Sequence, residues 1–275
     1  MANVNKESSS NGGSMFSAIA IVACIAIGWV VWEFIMGAGS NFQGGVNTGE
    51  PEPGNYMAMV YKGGPIVPVL MGLFLMVVVF SIERFMVISK ASGKGNLDQF
   101  MRSVQGSIKS GDIDSAIAAC DKQQGSVANA IKSALIKYQE VKREGLNSEE
   151  AAETIHKEIE EATSLEMPML EKNLTILSTL VSLGTLAGLL GTVTGMIKAF
   201  GALATAGTPD QAMLANGISE ALINTATGIA TSALAIITYN YFTSKIDTLT
   251  YSIDEAGSTI VSTYRRFRGT QKNNI

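Results

Sequence analysis

Two long apolar stretches, residues 174–203 and 212–245, carry hydroxyl groups and glycines at helical spacing. Polar groups inside a bilayer are costly and usually face a bundle interior or a wet path. Two neighbouring helices that share this feature indicate a lumen rather than an anchor. The chemistry that such a pattern can support is the movement of protons along a hydroxyl-lined path. Its principal hydroxyl candidates are Ser178, Ser182, Thr185 and Thr192 in the first stretch, and Thr225, Thr227, Thr231, Ser232 and Thr238 in the second.

The first stretch has two distinct faces when it is drawn as a helix. Its four hydroxyl residues lie within a sector of about 80° at 100° per residue. A second sector beside it contains four glycines at small-xxx-small spacing, which lets helix backbones approach closely. We expect these glycines to pack against another helix: Gly184, Gly188, Gly191 and Gly195. Any single hydroxyl is equally well explained as a contact between helices, where such hydrogen bonds contribute ~0.6 kcal/mol on average.

The second stretch divides its polar residues between two faces. Glu220 lies on one face with Asn224, whereas Thr225 and Ser232 lie about 120–140° away. An intramembrane carboxylate is a candidate functional group, so Glu220 is one hypothesis for a functional site. The alternative is that Glu220 lies at the interface and bonds Asn224 or nearby backbone. Lys198, near the end of the first stretch, is expected to extend its amine to the membrane surface.

No arrangement typical of an enzyme or a metalloprotein accompanies these stretches. His156 is the only histidine, and the two cysteines, Cys24 and Cys120, are isolated, so neither a metal site nor a disulfide framework is indicated. No glycine-rich phosphate loop followed by Lys is present, so no nucleotide and no other cofactor is expected. The net charge of −4 argues against nucleic acid as a partner. A proton gradient could instead supply the free energy for work by this protein, since each charge that crosses a membrane potential of ~100 mV releases ~2.3 kcal/mol.

Four nearly charge-free stretches predict an all-α, polytopic membrane protein, because each can cross a ~30 Å hydrocarbon core. We expect spans at about 15–37, 63–89, 174–203 and 212–245 of the 275 residues. The region from Arg84 to Lys172 holds 12 of the 20 Lys and Arg residues, which predicts that it and both termini are cytoplasmic. The expected divisions are 1–62 (tail, extra span and Gly/Pro-rich periplasmic loop), 63–89 (transmembrane helix), 90–173 (helical cytoplasmic domain), 174–245 (two pore-forming spans) and 246–275 (C-terminal helix and tail).

Several local predictions concern the segments around the spans. Residues 1–14 are expected to be disordered, and span one is either retained or removed as a signal after Ala38-Gly39-Ser40. The Gly/Pro loop should contain no helix. Asp112 should cap a helix over 113–121. A Glu-rich helix from Ser148 is expected to run into span three with a kink at Pro168. A turn is predicted at 207–210, and the tail to Arg268 should be helical.

Two motifs in order on adjacent spans resemble the MotA/TolQ/ExbB proton-channel family. They are GLLGTVTGMI at 188–197, followed by GISEAL at 217–222 with TATG at 225–228. Tyr239-Asn240 in the inner half of span four also fits, and the resemblance covers about residues 60–250. The motifs are most similar to ExbB, the biopolymer-transport subunit. The extra first span brings the number of spans to four, which resembles MotA instead.

The resemblance implies a homo-pentamer around a lumen that holds helices of a single-span, ExbD-like partner. In this family proton flow acts through that partner on a TonB-like protein, which opens transporters in the outer membrane. The implied pore-lining residues are Thr192 and Thr225, and the family glutamate falls on Glu220; Thr185 and Ser178 extend the same stripe. The implied location is the inner membrane of a Gram-negative bacterium. A TolQ-like envelope motor, a MotA-like stator and a non-conducting scaffold are the alternatives.

Overall fold

The computed structural model describes residues 7–205 and 211–272, with side chains for 15–201 and 211–266. The described residues are helical, and their only strand-like pairing is the isolated bridge between Phe42 and Pro51. Four helical segments are long and apolar enough to cross a membrane. The predicted all-α, polytopic fold is therefore confirmed. These segments lie at Met15–Met36 and Val67–Ala91 and within Ser148–Gly201 and Gln211–Arg266.

The chain forms two compact units, the first of which comprises residues 1–82 and 175–239. Helix α1, Glu7–Val30, continues as a π-helical turn over Val31–Met36. Helix α3, Val67–Ala91, packs against α1 in this unit. A methyl group on Gly72 would lie 2.9 Å from the Cα atom of Ile25, so only a glycine permits this approach.

Two expectations for this unit require correction. Residues 7–14 belong to α1 rather than to a disordered tail, although residues 1–6 lie outside the described part. The Gly/Pro loop does contain a short helix, α2, at Tyr56–Tyr61. The Asn55 side chain accepts hydrogen bonds from the Met57 and Ala58 amides and so caps it. Trp32 also stacks on Tyr61 with ring centroids 4.7 Å apart, which holds the short helix against the end of span one.

The second unit, residues 83–174 and 240–275, is a bundle of amphipathic helices. It contains α4 at Leu97–Ser110, α5 at Ile113–Gln123, α6 at Gly125–Glu144 and α7 at Ser148–Glu171. Asp112 accepts a hydrogen bond from the Ser115 amide at 3.1 Å, which confirms the predicted cap of α5. Burial of the apolar stripes supplies the main stabilisation. The buried residues include Val104, Ile108, Ile131, Leu135 and Ile155.

Helix α7 does not run into span three. It ends at Glu171, and Asn173 has a φ of +64°, before α8 begins at Leu174 and extends to Thr205. The prediction of one kinked helix was therefore wrong: the break lies after Pro168, which itself stays inside α7.

The buried Arg84 explains where α7 stops. Its Nη1 donates to the backbone oxygens of Met169 at 3.2 Å and Leu170 at 3.0 Å. These belong to the last turn, whose carbonyls lack helical partners. Glu83 pairs with the same guanidinium at 2.5 Å, so the charge on a side chain only 2% exposed is compensated.

Helix α9 spans Gln211–Lys272 without a break, so the predicted helical tail is confirmed as the end of this helix. In the second unit the Tyr264 ring meets Tyr138 edge-to-face at 5.0 Å. The predicted turn at 207–210 lies outside the described residues.

Candidate functional site

Helices α8 and α9 run antiparallel along a glycine seam, which we define as Gly184, Gly188, Gly191 and Gly195 with their α9 neighbours. All four glycines are buried. A methyl group on Gly195 would lie 2.9 Å from both the Ala221 amide nitrogen and the Gly217 oxygen. On the other side, a methyl on Gly228 would lie 2.8 Å from the Gly188 Cα. The two backbones are therefore in direct contact, as small-xxx-small spacing allows.

This close approach brings hydroxyl groups of the two helices together in pairs. Thr192 and Thr225 are hydrogen-bonded through their hydroxyls, and Thr185 donates to the Ser232 hydroxyl at 2.9 Å. The two pairs share one register, because seven residues separate them on each helix, a distance of about 10.5 Å. Ser178 lies a further seven residues along α8, but its hydroxyl donates to the Thr175 oxygen at 2.9 Å instead.

Either hydroxyl can be the donor in the Thr192–Thr225 hydrogen bond. The Thr192 hydroxyl donates to the Gly188 oxygen at 3.1 Å. Thr225 lies 3.5 Å from the same Gly188 oxygen and can donate to it instead, so whichever threonine donates to Gly188, the other can donate within the pair. The pair is partly buried and can exchange its donor role by rotating two O–H bonds.

The hydroxyl pairs interrupt an otherwise apolar surface. Thr192 lies at the edge of an open groove whose other residues are Val193, Met196, Ile197 and Phe200. Three of those four side chains are exposed, since only Met196 is half-buried. In a span these apolar side chains meet lipid or another helix, so Thr192 is the polar group that a neighbouring helix would find there.

We call the hydroxyls of Ser178, Thr185 and Thr192 on α8, with their partners Thr225 and Ser232 on α9, the hydroxyl line. Glu220 does not lie on it. It is 9% exposed and forms an ion pair with Lys198 at 2.6 Å. Lys198 was expected to extend to the membrane surface, and its Nζ instead contacts this carboxylate. The alternative in which Glu220 bonds Asn224 or nearby backbone is therefore corrected to an ion pair with Lys198. The α8–α9 register could have suggested the pair, because Gly195 lies opposite Ala221.

The same face of α9 holds the turn that precedes span two. Gly64 has a φ of +81°, and a methyl group there would collide with the Glu220 carboxylate. Asn224, which is fully buried, donates from Nδ2 to the Gly63 oxygen at 2.8 Å. Its Oδ1 has no partner among the described residues. The face that carries Glu220 and Asn224 is thus directed at the 63–64 turn, while Thr225 is directed at Thr192.

No group of three or more His, Cys, Asp or Glu side chains that could bind a metal occurs in the described part of the chain. His156 lies on the exposed surface of α7 and approaches Glu160, one turn away, at 3.5 Å.

Together, the four apolar helical segments and the hydroxyl-paired seam define a multi-pass membrane protein whose helices carry polar groups into the membrane. Residues 124–255 match the sequence profile of the MotA/TolQ/ExbB proton channel family. This segment is just under half of the 275 residues, and over it the chain is similar to the family. The matched segment contains α6, α7 and α8 and the greater part of α9, and therefore both hydroxyl pairs and Glu220.

Individual relatives carry both ExbB and TolQ names. An ExbB-like biopolymer transport protein of Synechocystis is 32% identical over 111 residues, or 40% of this chain and 53% of that protein. The Tol-Pal system protein TolQ of Pseudomonas aeruginosa is 36% identical over 105 residues, covering 38% of this chain and 46% of TolQ. An ExbB homologue of Methanothermobacter thermautotrophicus is 28% identical over 195 residues, with 70% and 65% coverage. The chain thus spans about half to two thirds of these relatives' length.

Proposed function

We propose that this protein is a proton-channel subunit of the ExbB type, which couples the proton-motive force to TonB-dependent transport across the outer membrane. The observation that carries the proposal is the Thr192–Thr225 hydrogen bond on the α8–α9 seam, with Thr185–Ser232 in the same register. The match of residues 124–255 to the family profile supports the reaction class. The hydroxyl line would form part of the proton path, with Ser178 at its far end.

The proposed assembly is a homo-pentamer in a Gram-negative inner membrane, with both termini in the cytoplasm. An ExbD-like single-span helix would occupy the lumen and transmit movement to a TonB-like protein. The charge distribution supports this topology, since 12 of 20 Lys and Arg residues lie between Arg84 and Lys172. The exposed apolar side chains around Thr192 would contact that partner helix.

The proposed roles of the polar residues differ. Threonine hydroxyls can relay a proton but do not store one at physiological pH, so the carboxylate that carries the proton would come from the partner. Glu220 would not serve as that carrier, because Lys198 pairs with it on the other face of α9. We assign Glu220 instead to holding the 63–64 turn, together with Asn224.

The decisive experiment measures proton flux in vesicles that contain this chain and its single-span partner. Thr192→Val removes the hydroxyl and keeps the shape, so flux should fall while assembly persists. Thr194→Val is the matched control, because Thr194 lies about 200° around α8 from Thr192 and its hydroxyl donates to Gly191 of its own helix at 3.1 Å. Equal flux in both variants would refute the role of Thr192.

A TolQ-type output is the second candidate, and the 36% identity to P. aeruginosa TolQ favours it specifically. The channel would be the same and the driven process would be envelope maintenance. A deletion strain separates the outcomes: loss of iron-complex uptake supports the ExbB role, envelope leakage supports the TolQ role, and loss of motility alone supports a MotA-like stator. A non-conducting scaffold predicts no flux with any partner.

A further inference from the structure

A basic groove lies in the second unit, next to the end of span two, and none of the proposed proton path passes through it. It has a volume of about 650 Å³, and we call it the lysine groove after Lys90, Lys94 and Lys172, which line it. Lys90 is in the last turn of α3, and Lys172 follows the end of α7. The groove therefore begins where an apolar span ends, at the level where lipid headgroups lie.

The charge inside the lysine groove is unbalanced. None of its three lysines forms an ion pair within the described residues. Arg84 and Glu83 also line the groove but neutralise each other. Glu166 is the remaining acid and is 3.5 Å from the Asn129 amide. The net charge of the lining is thus +2, which favours an anion.

Hydrogen-bond donors face the same space. Helix α6 begins at Gly125 with no side-chain cap, so its first amides and its positive dipole end are available to an anion. Ser126 lines the groove at 3% exposure, and its hydroxyl has no hydrogen bond in the described structure. Among the described residues the fully buried side-chain atoms without a partner are Asn224 Oδ1 and Thr243 Oγ1, so the Ser126 oxygen keeps some exposure and can donate to a ligand in the groove.

The backbone around this opening is closely packed. Gly93, Gln124 and Gly125 have φ values of +82°, +58° and +85°, and a methyl group on Gly125 would lie 2.7 Å from the Gly93 nitrogen. The Lys94 amide donates to the Gln123 oxygen at 2.6 Å, which joins the end of α3 to the α5–α6 junction. The donors are therefore held on a fixed backbone, as a preformed site requires.

We propose that the lysine groove binds a phosphate group, and that the phosphodiester headgroup of an anionic phospholipid is its source. The lysines would surround the phosphate, while Ser126 and the α6 amides would donate hydrogen bonds to its oxygens. Lipid is the favoured source because the groove adjoins the last turns of an apolar span, where the apolar side chains of Phe85 and Met86 are 58% and 59% exposed. Free phosphate shares the same chemistry, and the test separates the two.

The test uses the full chain in dodecyl maltoside and follows thermal unfolding by circular dichroism and bound lipid by native mass spectrometry. The ligands are short-chain phosphatidylglycerol, phosphatidylcholine of equal chain length and inorganic phosphate. The groove variant is Lys90→Gln/Lys94→Gln/Lys172→Gln. The matched control makes the same charge change at Lys109, Lys122 and Lys142, which are exposed lysines of the same unit outside the groove.

We expect phosphatidylglycerol to stabilise the wild type and the control. Its affinity for the groove variant should be lower by roughly 100-fold, at about fivefold per lysine. Ser126→Ala should alone weaken binding by about tenfold, which tests the site without changing its charge. If inorganic phosphate gives the same lysine-dependent shift, a soluble phosphate is the ligand and the lipid source is wrong. Equal binding by the groove variant and the control, or equal stabilisation by phosphatidylcholine, would overturn the proposal.

Discussion

Gly195→Ala tests whether direct backbone contact holds α8 to α9. The added methyl group would lie 2.9 Å from the Ala221 nitrogen and the Gly217 oxygen and 3.1 Å from the Ala221 Cα. Carbon atoms pack best at about 3.5–4.0 Å, so the helices would have to separate by at least about 0.4 Å at this level. All three neighbours are backbone atoms, so no side-chain rotation can relieve the contact. Overpacking of this kind costs about 1–3 kcal/mol.

The intrinsic preference of alanine for helix complicates this measurement and requires a control. Replacing glycine by alanine stabilises a helix by about 1 kcal/mol, which offsets part of the clash. Gly201→Ala shares this gain, since Gly201 lies in the same helix and no atom from elsewhere in the described residues comes within 4 Å of the added methyl. The difference between the two variants therefore isolates the contact. We expect Gly195→Ala to be about 1–3 kcal/mol less stable than Gly201→Ala.

Equilibrium unfolding of the full chain in dodecyl maltoside with increasing dodecyl sulfate, followed by circular dichroism, measures this difference. Protein concentration must be equal in all samples, because subunit association adds to apparent stability. Proton flux should also fall in Gly195→Ala, since Thr192 and Thr225 lie within a turn of the displaced contact. If Gly195→Ala is as stable as Gly201→Ala, then the α8–α9 seam is not closely packed and the hydroxyl pairing that depends on it is wrong.

Three further predictions concern single contacts. Lys198→Met leaves the Glu220 carboxylate without its partner. It should destabilise the chain by about 1–3 kcal/mol, between the values for exposed and buried pairs. The double variant with Glu220→Gln should recover most of this lost stability in the same unfolding assay. Burial raises the pKa of the Cys120 thiol to about 12. At pH 8, maleimide should therefore not label this thiol until the chain is unfolded. Rapid labelling of the native protein would contradict its burial. Hydrogen bonds from the Ser115 hydroxyl and amide lower the pKa of Asp112. The cap should therefore stabilise the chain above pH ~4, and this stabilisation should be lost as the pH falls through the lowered pKa. Asp112→Asn should remove this pH dependence, and an unchanged dependence of stability on pH in that variant would count against the cap.

Features that depend on neighbours in the chain were predicted well from the sequence. The apolar length of the spans, the cap at Asp112 and the helical tail to Arg268 each follow from a few adjacent residues. The disorder expected for residues 7–14 and the absence of helix in the Gly/Pro loop were wrong. In the loop, local composition favoured turns, while the Asn55 cap and the Trp32–Tyr61 stack stabilise a six-residue helix.

The end of α7 shows why long-range contacts escape sequence reasoning. Pro168 is the local signal for a break, yet the helix continues through it to Glu171. The side chain that supplies donors to the last carbonyls is Arg84, which lies 85 residues from Met169 in sequence. Such a partner can be identified only when the fold brings the end of α3 beside α7.

The sequence by itself determined which segments are helical, which are apolar enough to span a membrane, and that hydroxyls and glycines occupy separate faces of α8. The tertiary structure decided which groups meet: Thr192 with Thr225, Lys198 with Glu220, and Asn224 with the 63–64 turn. The physical reason is that helical periodicity fixes the direction of a side chain only relative to its own axis. The register between two helices is set where their backbones touch, and here that contact is the glycine seam.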